Sequence, residues 1–121
     1  MPLRYLSQRW RSLGYALSGV RELITSQAHA QIHLAATIVV IAAGIYFDVS
    51  RVDWLLLCVA MALVWVAEAI NTAIEYVVDL VSPQPHPLAG KAKDVAAGAV
   101  LLASFFAACI GCLVFGPKLA A

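Results

Sequence analysis

From residue 3 to residue 24 the large apolar side chains fall at Leu3, Leu6, Trp10, Leu13, Leu17, Val20 and Ile24. Alternating steps of three and four draw one stripe along a helix. Arg4, Arg9, Arg11 and Arg21 lie off that stripe, so the pattern predicts an amphipathic helix over about 3–26, basic on one side and carrying Trp and Leu on the other. Such a helix suits the plane of an anionic membrane surface; a soluble partner helix would show the same heptads. The pattern then changes from periodic to continuous. Apolar runs predict transmembrane helices over about 32–47, 52–81 and 92–115. The last is uncharged for about 21 residues from Val95, enough at about 1.5 Å per residue to cross a hydrocarbon core of roughly 30 Å. The first has only about 14 apolar residues after His33 and must extend through its N-terminal turns or cross a thinned region.

The chain of 121 residues is read as one domain, an all-α membrane protein. A hydrophobic fraction of 63% with 12% charged residues leaves too few polar groups to cover a soluble domain of this size. A net charge of +1, with no basic stripe, argues against nucleic acid as a partner. Cys109 and Cys112 have C-x-x-C spacing, but with no His or second pair nearby they read as small buried apolar residues, as does Cys58. The N-terminal stretch lacks the short apolar core and cleavage site of a secretory signal. Most Lys and Arg lie in the N-terminal segment and in 82–93, while the 48–53 connection is net acidic. Positive-inside bias places the N-terminus in the cytoplasm and the C-terminus outside. Ala99, Ala103, Ala107 and Gly111 make a small-residue ridge for a closely approaching helix, within the chain or between chains.

The second long segment carries Glu68, Asn71, Glu75 and Asp79. At about 100° per residue these fall within an arc of roughly 80°, so three carboxylates and an amide share one face. Asp at a bilayer centre costs about 2.5–3.5 kcal/mol even on permissive scales, which marks such a face as a site or pathway. Counting about 14 residues inward from Trp54, or roughly 21 Å, puts Glu68 in the inner part of the bilayer and Asp79 near the cytoplasmic interface. Closely spaced carboxylates repel, and an oxygen-seeking divalent cation such as Mg²⁺ neutralises them. In the next connection, Lys91, Lys93 and Asp94 gather at the mouth of the third long helix, where free N–H groups favour phosphate. No G-x-x-x-x-G-K-[ST] loop is present.

Glu68-Ala-Ile-Asn71-Thr-Ala-Ile-Glu75 with Val78-Asp79, then His86-Pro-Leu-Ala and Ala92-Lys93-Asp94-Val-Ala-Ala-Gly-Ala-Val, resemble the prokaryotic integral membrane lipid kinases, the diacylglycerol and undecaprenol kinase family. The resemblance spans about 14–118. It implies a homotrimer in the prokaryotic cytoplasmic membrane, each protomer with a surface helix and three transmembrane helices, and active sites between subunits that take MgATP from the cytosol. It implies Glu68 as catalytic base against the lipid hydroxyl, Glu75 as Mg²⁺ ligand, and Asn71, Lys93 and Asp94 as nucleotide-binding or site-organising residues. Arg11 and Tyr15 match nucleotide-facing positions of the surface helix; Asp79 and His86 match as well. Gln27 stands where the family usually has a metal-binding Glu, which keeps a non-catalytic cation-binding scaffold as an alternative. Ser82-Pro-Gln-Pro-His-Pro-Leu-Ala, Gln31-Ile-His33-Leu and Pro117-Lys-Leu look more like the undecaprenol branch, with diacylglycerol the other substrate.

Overall fold

The computed structural model describes residues 2–121. Four helices follow one another: α1 (Pro2–Ser26), α2 (Ala28–Tyr46), α3 (Arg51–Val81) and α4 (Pro87–Ala120), with no strand among the described residues. The last three are long and apolar enough to cross a membrane. At 31 and 34 residues, α3 and α4 measure about 46 and 51 Å, some 15 to 20 Å more than a hydrocarbon core of roughly 30 Å needs. Their paired ends, joined by residues 82–86, therefore reach beyond the lipid and carry the polar groups there.

The turn between α2 and α3 is fixed by caps at both sides. Val49 N–H donates to Gly44 O at 3.1 Å and Asp48 N–H to Ile45 O at 3.2 Å, the paired bonds of a Schellman motif. Asp48, at φ 47°, occupies the left-handed position that glycine usually fills. Ser50 then caps α3, its side chain accepting from the Asp53 N–H at 3.1 Å. Val49 is driven into the core beside Leu57 and Val114, with Phe47, Trp54 and Phe115 packed around them. Gly44 is required here by close approach: a Cβ on it would stand 2.5 Å from the Trp54 ring.

α4 begins at Pro87, earlier than the apolar run alone suggests, because proline is suited to a first helical position and His86 caps it: its Nδ1 accepts from the Leu88 N–H at 3.1 Å. The small-residue ridge packs within the chain. Ala103 is buried; Ala99 and Ala103 line the α3–α4 seam with Ala67 and Asn71, while Ala107 and Gly111 face α2 and α3. That register turns the neighbouring positions outward. Cys109 and Cys112 are consequently free and exposed, as is Cys58 beside buried Leu57 on α3, which corrects their reading as buried residues: Ala107 and Gly111 hold the inner face of α4. Only the end of α1 is docked, through buried Leu23; Leu3, Leu6, Trp10, Leu13, Leu17 and Val20 are exposed.

Candidate functional site

The polar face of α3 runs along a gradient of burial. Glu68 is 2% exposed and Asn71 9%, Glu75 is half-buried, and the Asp79 side chain is 63% exposed. About three turns of one helix face thus carry a line of oxygen atoms from the interior of the bundle to its exposed end. Glu68 faces His33 on α2, with Nε2 3.5 Å from Oε2. Asn71 Nδ2 donates to Glu75 Oε1 at 3.2 Å, which holds that carboxylate one turn further out. Asp79 accepts from Lys93 Nζ at 2.6 Å, tying the end of α3 to the start of α4.

A second polar group forms where α1 meets α3. Tyr76 donates its hydroxyl proton to Glu22 Oε1 at 3.1 Å, and Gln27 Nε2 donates to the Tyr76 oxygen at 3.4 Å. Tyr76 thus joins Glu22 and Gln27 across the α1–α3 junction, and Glu75 is the residue before it on α3. Two buried atoms on α3 have no hydrogen-bond partner among the described residues: Asn71 Oδ1, on the α4 side, and Thr72 Oγ1, on the α1 side. An orphaned buried acceptor or hydroxyl costs about 1–3 kcal/mol, and a bound ligand relieves that cost. Thr72, Glu22 and Tyr76 line a crevice of about 360 Å³ between α1 and α3.

Among the described residues, no three His, Cys, Asp or Glu side chains converge on one point. The donor set nonetheless suits Mg²⁺, which typically takes one or two protein carboxylates and completes its shell with phosphate oxygens and water. Glu75 and Glu22 are such carboxylates, and neither has a cationic partner among the described residues. Asp79 is engaged by Lys93. Arg11 and Tyr15 are exposed on the undocked part of α1 and are not joined to the group by any hydrogen bond among the described residues. Asp94 is exposed at the first turns of α4, and His86 is held as a helix cap rather than turned toward the carboxylates. Sequence reasoning missed the partners that come from other helices: His33 beside Glu68, and Tyr76 between Glu22 and Gln27. The available signal was the polar pair His33 and Thr37, one turn apart in an apolar run.

A family model described as prokaryotic diacylglycerol kinase matches residues 14–115. Undecaprenol kinase of Bacillus subtilis is 36% identical over 114 residues, covering 94% of this chain and 93% of that protein. A diacylglycerol kinase of Synechocystis is 40% identical over 110 residues, or 89% of this chain and 63% of its own length. The diacylglycerol kinase of Escherichia coli K12 is 31% identical over 104 residues, covering 86% and 85% respectively.

Proposed function

The chain belongs to the prokaryotic diacylglycerol kinase family, and on that premise we propose that it is a lipid kinase transferring the γ-phosphoryl group of ATP to the hydroxyl of undecaprenol, with diacylglycerol as the alternative acceptor. The observation that carries this reading is a buried carboxylate, Glu68, at the inner end of a polar face that opens toward solvent. A lipid alcohol reaches the inner end from the membrane. A nucleotide reaches the outer end from the cytosol.

Glu68 acts as general base, accepting the hydroxyl proton as the oxygen attacks phosphorus; positioned bases of this kind contribute about 10²- to 10⁴-fold. Asn71 holds Glu75 and offers its unpartnered Oδ1. Lys93, fixed by Asp79, supplies positive charge to the phosphates at the start of α4, with Asp94, His86, Arg11 and Tyr15 bordering the nucleotide. Glu75 and Glu22, with the Gln27 carbonyl, would hold Mg²⁺; when bound, that ion neutralises charge on the phosphate oxygens. The protein acts as a homotrimer, in which a neighbouring protomer closes the open side of the site, with its N-terminus in the cytoplasm and α1 lying on the membrane surface. The likeness to an undecaprenol kinase over nearly the whole of both chains supports undecaprenol as the acceptor.

Labelled ATP offered with undecaprenol or diacylglycerol in mixed micelles tests the reading. Transfer to undecaprenol is expected to exceed transfer to diacylglycerol, and Glu68→Gln is expected to lose it by about 10²- to 10⁴-fold while still binding MgATP. Failure with both lipids would sink the kinase reading and leave the cation-binding scaffold.

A further inference from the structure

His33 is placed too deliberately for a residue of an apolar helix. Thr37, one turn on, donates its hydroxyl to the His33 carbonyl at 2.7 Å, and Trp65 Nε1 donates to the Thr37 oxygen at 2.9 Å. Trp65 lies one turn before Glu68 on α3, so this rung sets α2 and α3 at the level where His33 and Glu68 meet. The Trp65 ring stands edge-on to the imidazole, 6.5 Å between centroids. The imidazole is 18% exposed and the carboxylate 3%. His33 also lines the crevice of about 300 Å³ between α2, α3 and α4, whose other walls are Ala36, Val40, Met61, Val64 and Ala107 among others.

At 3.5 Å the pair is wider than the roughly 2.7–2.9 Å of a charge-assisted N–H···O bond. The separation leaves the two atoms facing each other without a direct hydrogen bond. A proton on Glu68 closes it, because Oε2–H then donates to Nε2. Glu68 is the one acidic side chain within ion-pair distance of His33 among the described residues. The crevice walls from α3 and α4 carry no titratable side chain, and on α1 Glu22 is engaged with Tyr76. A proton taken up by Glu68 therefore has one basic side chain within ion-pair distance, His33.

We infer that His33 is the positioning residue that relays the substrate proton away from Glu68, an inference that rests on Glu68 being the base. In the step, the lipid oxygen bonds to the γ-phosphorus as the bond from that phosphorus to the ADP oxygen breaks. The hydroxyl proton moves to Glu68 Oε2 and on to His33 Nε2. Glu68 is left as a carboxylate beside an imidazolium, and the proton leaves to water as products exchange.

The test measures kcat, both KM values and the pH profile of phosphate transfer to undecaprenol for the whole protein, His33→Gln, His33→Ala and Glu68→Gln. His33→Gln keeps an N–H donor and similar reach but cannot take a proton. It is expected to lower kcat roughly 10- to 100-fold with both KM values little changed, and to alter the acidic limb of the kcat profile, since the pair loses one of its two proton sites. Added imidazole should restore part of the rate to His33→Ala and none to Glu68→Gln. Should the alanine chain fail to fold, the glutamine chain alone decides. A wild-type rate and unchanged acidic limb in His33→Gln, with Glu68→Gln inactive, overturns the relay alone; full activity in Glu68→Gln overturns the base and the relay together.

Discussion

Gln27 is the N-cap of α2, yet its side chain makes no cap hydrogen bond and turns to Tyr76. That orientation carries it to α3 at Tyr76, the residue after Glu75, with one negative charge fewer than a glutamate would bring. Gln27→Glu is expected to lower the Mg²⁺ concentration for half-maximal rate by an amount equivalent to about 1–2 kcal/mol, the scale of a hydrogen bond to a charged group. A magnesium titration checks it; no change would remove Gln27 from the metal region. The residues of this site differ in how far a sequence reveals them. The spacing of Glu68, Asn71, Glu75 and Asp79 is legible because all four share one helix, where period alone fixes the face. Contacts such as Tyr76 to Glu22, 54 positions apart, depend on how helices cross, which no local pattern encodes. For the same reason the sequence offers His33 as a lone polar residue and leaves its partner unnamed.

Among the elements, the α2–α3 hairpin is the most tightly specified and the least legible. An acidic connection reads as a turn, but the Schellman closure is concealed because Asp48 takes the place of glycine. Non-glycine residues in the left-handed region cost roughly 1 kcal/mol, so Asp48→Gly is expected to raise stability by up to about 1 kcal/mol, read as a higher Tm in detergent. Gly44→Ala should do the opposite. Its Cβ would meet the rigid Trp54 ring at 2.5 Å, and overpacking of this kind costs about 1–3 kcal/mol; an unchanged Tm would show that the ring moves aside freely. α4 teaches a related lesson. The apolar run marks its membrane portion, but its first turns lie outside that run and are set by His86 and Pro87, whose capping chemistry hydropathy ignores.

At the scale of the whole molecule, few side chains are fully buried and the outer faces are apolar, with Leu101, Leu102, Phe105 and Phe106 all exposed on α4. Composition makes this legible: lipid is the solvent of these faces. The distribution of Arg and Lys leads us to expect the C-terminus at Ala121 outside the cytoplasm. A phosphatase reporter fused there should be active only if exported, and activity of a cytosol-restricted reporter at that position would refute the three-span orientation. The connection beyond α3 has a further consequence for the molecule at work. Pro83, Pro85 and Pro87 alternate through it, each fixing its own φ and holding the residue before it extended, and Ser82 Oγ donates to the Gln84 carbonyl at 2.8 Å. A strap this stiff has little freedom left to lose. On the proposed kinase reading, this connection would serve a nucleotide as a standing berth rather than as a flap that folds over its cargo.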